Sequence, residues 1–303
     1  MSFTLDIKAE LARIETKALC CELAECYGIW LFSKCFRLQE TGYSLESGEA
    51  VRKSADLAAR VCGISPEIRY RVSRRKNPAY RIRIPDEQDR HRLLNRFGYS
   101  GRELPLRMQE KWFECPDCRG AFLRGAFLTC GMAANPNSSY HLEFATQYRQ
   151  LTEDLQHLMA GIEGLDLHPQ IGERKGNRYL YLKDSAQCER MLVFIGAANG
   201  AMQMMQVKMY KEEKNYINRK TNFETANMDK TYSASVRQII AIQRIQEAGK
   251  LAQLPEDQRK IAQLRLDNPE MTLREFAEIL GCSRSRINYR FNKILAFAEK
   301  LET

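Results

Sequence analysis

Apolar residues near the end of the chain recur at helical spacing. Leu273, Phe276, Ala277, Ile279 and Leu280 mark one short helix, and Ile287, Phe291, Ile294, Ala298 and Leu301 mark a longer one. Thr272 and Glu275 have the T-x-x-E spacing of a capping box, Gly281 ends the first helix, and Ser283 is placed to cap the second. Ala277 permits close helix approach, Gly281 suits a left-handed turn, and Ile287 fills the angle between the helices, so the segment reads as a helix-turn-helix. The other face of the second helix carries Arg284, Ser285, Asn288, Tyr289, Asn292 and Lys293, side chains able to bond base edges and phosphates.

Upstream, one pattern occurs twice. Tyr70 to Ser73 and Tyr80 to Ile84 alternate between an apolar and a basic face around an Arg74-Arg75-Lys76-Asn77-Pro78 turn. About a hundred residues later Gln170-Ile171 and Tyr179 to Lys183 flank a second turn, Glu173 to Asn177. Each hairpin is followed by a matching helix, Arg92-Leu93-Leu94 with Phe97-Gly98 and Arg190-Met191-Leu192 with Ile195-Gly196. Apolar helices open the halves at Cys21 to Ser33 and Phe122 to Gly131. Strand-like segments near Phe36 to Gln39 and Tyr140 to Phe144 follow, then helices around Val51 to Cys62 and Tyr148 to Met159. The order is α-β-β-α-β-β-α in each half. Such duplication predicts an α+β fold with a pseudo-twofold axis, the opening helices packed together and the strands forming a saddle-shaped surface. The expected domains are 1–212, in halves of about 1–100 and 115–212, then a polar linker at 213–230 and an all-α unit at 231–303.

Charge sharpens this picture. Lys and Arg number 47 against 38 Asp and Glu among 303 residues, a formal net charge of +9. A basic balance permits phosphate binding. The excess is concentrated at Arg69, Arg71, Arg74, Arg75, Lys76, Arg81 and Arg83, with no acid between them. That run fits either a DNA-contacting hairpin or the solvated face of a sheet. The stretch Met191 to Met209 is interrupted by Asn199, Gln203 and Lys208 and is too polar for a membrane span.

Ten cysteines without an apolar leader suggest reduced thiols in the cytoplasm. Cys115-Pro116-Asp117-Cys118 has the spacing of half a zinc site, but no second pair follows at a suitable distance. Cys20-Cys21 reads as packing at the head of the first opening helix, since adjacent cysteines rarely reach disulfide geometry. His91, His141, His157 and His168 are scattered with no nucleophile and acid arranged beside them. No metal, cofactor, small-molecule substrate or catalytic residue is expected.

Leu123 to Gly131 resembles the LAGLIDADG helix of homing endonucleases, and Leu23 to Leu31 resembles a weaker copy, with Gly125 and Ala24 placed to let the two backbones touch. In those nucleases a metal-binding Asp stands just before the last Gly. Here Trp30 and Cys130 hold the matching positions, and the nearest acids downstream are Glu40 and Glu143. Hard cations need oxygen ligands, so the resemblance implies a nuclease scaffold without its cutting chemistry. The whole order, through residues 1–12, 122–144, 218–231 and the terminal helices, resembles the WhiA family of bacterial transcription factors. Membership implies non-enzymatic, sequence-specific binding of double-stranded DNA and a role in cell division, chromosome segregation and, in spore-formers, sporulation. A protein partner and a nucleoid location are compatible with it. The rival expectation is a divergent homing endonuclease. The residues expected at DNA are Arg284, Ser285, Asn288 and Tyr289 for bases; Arg286, Arg290 and Lys293 for phosphates; and Asn292, Arg74, Arg75, Lys76, Arg219 and Lys230 in support. Arg219 and Lys230, with Asn218, Asn222 and Asn227, fit either a phosphate-contacting extension or hydrogen bonds that set the angle between domains.

Overall fold

A computed structural model of the chain describes residues 2–72, 78–174 and 177–301. These fall into two compact units, 1–211 and 212–303.

The first unit opens with α1 (Phe3–Ala12). The first half follows as α2 (Leu19–Leu31), β1 (Cys35–Phe36), β2 (Thr41–Leu45), α3 (Gly48–Cys62), β3 (Glu67–Val72), β4 (Pro78–Arg83) and α4 (Glu87–Arg96). The second half repeats it as α5 (Asp117–Cys130), β5 (Gly131–Ala133), β6 (Leu142–Thr146), α6 (Arg149–Ala160), β7 (Gln170–Arg174), β8 (Asn177–Leu182) and α7 (Ser185–Ile195). The strands form two four-stranded antiparallel sheets of the same order, β1-β2-β4-β3 and β5-β6-β8-β7. In both halves the expected strand segment covers only part of what forms: Phe36 starts the first and overlaps β1, while Tyr140 to Phe144 overlaps β6.

Equivalent residues end equivalent helices. Asp86 and Asp184 cap α4 and α7 by accepting from Asp89 N and Gln187 N, and Gly98 and Gly196 follow those helices with φ of 73° and 99°. Leu93, Leu94 and Phe97 in one half, and Met191, Leu192 and Ile195 in the other, are buried.

At the centre, α2 and α5 lie side by side with their backbones in contact. A Cβ on Gly125 would stand 2.2 Å from Glu25 O, and one on Gly28 would stand 2.1 Å from Phe122 O. Gly28 is therefore the glycine through which α2 touches its partner. Thr129 Oγ1 donates to Ile29 O at 3.1 Å near the far end of the pair. Between them Glu25, fully buried, receives Arg124 of α5 at 2.9 Å and Lys53 of α3 at 2.8 Å, with Thr16 Oγ1 donating at 2.8 Å. Burial works against the charge on Glu25, but the hydrogen bond and charge of Arg124, joined by Lys53, outweigh it and hold the carboxyl below its ordinary range. A buried carboxylate is tolerable here because each oxygen faces a cation.

α8 (Ala198–Glu247) begins in the first unit and continues into the second, so residues 213–230, expected as a linker, are helical. The second unit adds α9 (Glu256–Asp267), α10 (Leu273–Ile279) and α11 (Arg284–Glu299). Its core joins Ile242 and Ile245 of α8, Ile261 of α9, Phe276 of α10 and Ile287, Phe291 and Ile294 of α11. Among the described residues no helix is long and apolar enough to cross a membrane.

Candidate nucleic-acid interface

The turn between α10 and α11 is built from local hydrogen bonds. Thr272 Oγ1 accepts from Glu275 N while Glu275 Oε2 accepts from Thr272 N at 2.7 Å, closing the capping box. The backbone and side chain of Thr272 hold the Glu275 carboxyl below its usual range. Gly281 has φ of 58°, and Ser283 Oγ accepts from Arg286 N at 3.3 Å to start α11. Ile287, Phe291, Ile294 and Ala298 then face inward, which turns Arg284, Ser285, Arg286, Asn288, Tyr289, Asn292 and Lys293 to solvent. Lys293 Nζ lies 5.4 Å from the centre of the Tyr289 ring, one turn away. No acid stands in the first turn of α11, where the exposed Arg284 and Arg286 meet the positive end of the helix dipole. That arrangement repels itself until an anion arrives.

Arg290 departs from expectation. It turns toward α9, where its Nε meets Asp257 Oδ2 at 2.8 Å, and its side chain is only 16% exposed. The helical period explains this: Arg290 lies three residues after Ile287 and one before Phe291, at the border of the buried stripe.

Sequence reasoning missed Arg265. Its guanidinium lies 4.5 Å from the Phe276 ring centre and 5.1 Å from that of Phe291. It donates to Gln238 Oε1 at 3.0 Å, Pro269 O at 3.2 Å and Met271 O at 2.6 Å. Burial pulls its pKa below the ordinary arginine value. This buried cation ties α8, α9, α10 and α11 together. An arginine within an apolar stripe is the only signal the sequence offers.

On α8, Arg219 and Lys230 are both exposed, and their offset of eleven positions brings them to nearly the same face. In the first unit, Arg69 and Arg81 are cross-strand partners, with Arg83 opposite Glu67 on the same face of the sheet. Acids from outside the basic run reach them. Glu67 pairs with Arg69 at 2.8 Å and Arg83 at 2.7 Å, and Glu40 pairs with Arg81 at 2.9 Å. The two arginine hydrogen bonds lower the Glu67 pKa. The described part of this face is therefore less positive than its sequence suggests. Arg74, Arg75 and Lys76 lie outside the described residues.

The C-terminal ends of α2 and α5 are where a homing endonuclease places its metal-binding acids. Trp30 is fully buried there, and Cys130, half-buried, has its thiol pKa pushed up to about 12 chiefly by desolvation. Nearby is a cation: Lys8 of α1 is buried beside Cys130 and Glu46, and burial drives its pKa down to about 8. Of the nearest acids, Glu40 pairs with Arg81, and Glu143 pairs with His141 at 2.9 Å and Arg174 at 3.1 Å.

At the other end of the same helices the structure corrects the sequence reading of the cysteines. Cys20 and Cys21, in the first turn of α2, meet Cys115 and Cys118, at the start of α5. The second pair for Cys115-Pro116-Asp117-Cys118 comes from the other half of the duplication rather than from the neighbouring chain.

A duplicated α+β domain centred on a glycine-touching helix pair, with Trp30 and Cys130 at the catalytic positions and a capped helix-turn-helix unit after it, defines a class: a LAGLIDADG-like scaffold joined to a helix-turn-helix domain. Comparison with known proteins makes the class specific. Residues 119–214 match the WhiA LAGLIDADG-like domain and residues 217–298 match the WhiA C-terminal HTH domain. The chain is similar to the probable cell division protein WhiA of Desulfitobacterium hafniense strain Y51, 35% identical over all of this chain and 97% of that one. It is 32% identical to the protein of the same name from Alkaliphilus metalliredigens, over 99% of this chain and 98% of the relative. The chain belongs to the WhiA family. Its fold is similar to the crystal structure of full-length DUF199/WhiA from Thermatoga maritima, with a TM-score of 0.60 at 24% identity and 99% of each chain covered.

Proposed function

We propose that the chain is a non-enzymatic, sequence-specific DNA-binding protein of the cytoplasm that associates with the nucleoid and regulates transcription in cell division and chromosome segregation, and in sporulation where its host forms spores. The observation that carries this is the exposed face of α11, where Arg284, Ser285, Asn288 and Tyr289 stand clear of the core on a helix whose N-terminus is capped and free of acids. Such a helix, laid in a major groove, reads bases with its early residues and holds phosphates with its arginines and Lys293. Arg286 and Asn292 share the exposed surface, and Arg219 and Lys230 extend it along α8 as phosphate contacts. Arg290 is omitted from this set, because Asp257 already neutralises it. The link to division rests on the relatives named above, and a protein partner in division or transcription control belongs to the same reading. Lys8, Trp30 and Cys130 at the helix ends support a non-enzyme over a divergent homing endonuclease, since a buried ammonium repels the divalent metals that strand cleavage needs.

The test separates reading from positioning. After mapping of bound sites gives a preferred sequence, Asn288→Ala or Arg284→Ala should cost about 1–3 kcal/mol at that site and little on random DNA. Lys293→Ala should weaken both and lower the salt slope by about one. Folded Asn288 and Arg284 variants with unchanged affinity for both DNAs would remove α11 as the reading element. Magnesium- or manganese-dependent cutting by the wild type, lost on changing an acid, would overturn the non-enzymatic reading.

A further inference from the structure

The four cysteines at the head of the central helix pair are close enough to share one ion. Cys21 and Cys115 Sγ are 3.4 Å apart, Cys115 and Cys118 3.5 Å, Cys20 and Cys115 3.7 Å, and Cys21 and Cys118 3.9 Å. All four sulfurs lie within 4.8 Å of one another. A zinc ion at the centre of a sulfur tetrahedron, with Zn–S bonds of about 2.3 Å, sets the sulfurs about 3.8 Å apart. These thiols therefore stand near tetrathiolate spacing already. We propose that Cys20, Cys21, Cys115 and Cys118 form a structural site for a single zinc ion that clamps the two halves of the duplicated domain together.

Three features favour this occupant. An iron–sulfur cluster places several irons and sulfides between its cysteines and needs them farther apart than this cluster allows. A disulfide needs about 2.05 Å between sulfurs and leaves two of the four thiols without a role. The surroundings also suit a dianionic centre. Cys20 and Cys21 begin α2 and Cys118 begins α5, so the positive ends of two helix dipoles converge on the sulfurs. The Cys115-to-Cys118 turn is closed by Cys118 N donating to Cys115 O at 3.1 Å. On binding, the thiols give up their protons to solvent and the zinc takes four thiolates, leaving a net charge of −2. The other end of the pair holds Lys8 and Cys130, so the clamp is separate from the positions where a homing endonuclease would bind its metals.

Full-length protein purified without chelator or metal-binding tag should carry one zinc per chain by inductively coupled plasma mass spectrometry. After stripping under reducing conditions, cobalt should restore the intense visible bands and thiolate charge-transfer absorption of a tetrahedral sulfur site. Cys115→Ser should weaken cobalt binding by more than about 100-fold, beyond the loss of an outer-shell partner. Cys35→Ser, outside the cluster, should leave the spectrum unchanged. Because the metal content and cobalt spectrum of the wild type need no variant, a misfolded Cys115→Ser does not blur the result. Wild-type protein with native circular dichroism but no zinc and no cobalt spectrum would overturn the proposal. So would iron in place of zinc, or a disulfide among these four residues in freshly purified protein.

Discussion

Replacing Lys8 with methionine should make the first unit more stable, and by an amount that depends on pH. The ammonium is buried, and its pKa falls from 10.5 to about 8, chiefly through burial, against which Cys130 and Glu46 offer only partial compensation. A lysine with a lowered pKa binds its proton more weakly in the folded state than in the unfolded state. Below about pH 8 both states are protonated and the full penalty is present. Between about pH 8 and 10.5 the unfolded state binds more protons, so this penalty is relieved as pH rises. A pKa lowered from 10.5 to about 8 corresponds to a penalty of about 3.5 kcal/mol. Lys8→Met keeps the alkyl bulk and removes the charge, so it should gain up to about 3.5 kcal/mol at pH 7, and the gain over wild type should shrink steadily toward pH 10. Urea unfolding followed by tryptophan fluorescence isolates the effect, because both tryptophans, Trp30 and Trp112, lie in the first unit. An advantage that stays constant from pH 7 to 10, or a loss of stability at pH 7, would show that Lys8 is not held against its charge and would remove the cation from the degenerate metal end.

Two further outcomes test the central helix pair. Gly125→Ala forces a methyl to within 2.2 Å of Glu25 O, a backbone atom that cannot swing aside, so α2 and α5 must part; a loss of at least about 2 kcal/mol is expected in the same urea assay, and a change under 0.5 kcal/mol would refute the contact. Glu25→Gln leaves Arg124 and Lys53 buried without their anion and should cost about 3–5 kcal/mol at pH 7. Because the Glu25 pKa is lowered on folding, its contribution is present above the ordinary carboxylate range and is lost as pH falls through the folded value. Wild type and variant should therefore converge in acid, and a gap that stays constant would contradict the assignment.

Much of this molecule is legible in its sequence where the signal is local. The capping box of Thr272 and Glu275, the Ser283 cap and Gly281 each act within four residues, so spacing alone locates α10 and α11 and the face that α11 exposes. The paired helices α4 and α7 are equally plain, since their buried residues and terminal glycines repeat together. Strands of two or three residues such as β1 and β5 have no room to show alternation, and their sheets form through partners farther along the chain. Long-range relations were out of reach for the same reason. Asp257 is 33 positions from the Arg290 it neutralises, and Cys21 is 94 from the Cys115 it touches. Gly28 was hidden because nothing in α2 alone says which small residue faces α5.

The two ends of that helix pair obey one electrostatic rule in opposite senses. Helix C-termini carry partial negative charge, so a nuclease that places carboxylates there stacks like on like and depends on metal cations to hold them. With Trp30 and Cys130 in those positions the repulsion is absent, and a buried lysine stands beside the end of α5. At the N-terminal ends the dipole is positive, and thiolates there are favoured rather than merely tolerated. An end without carboxylates and an end with a cysteine cluster are thus compatible features of one helix pair. The carboxylates' departure frees the C-terminal end of its need for metal, and a clamp at the N-terminal end supplies a cross-link between halves that a catalytic pair of ions would otherwise have helped to make.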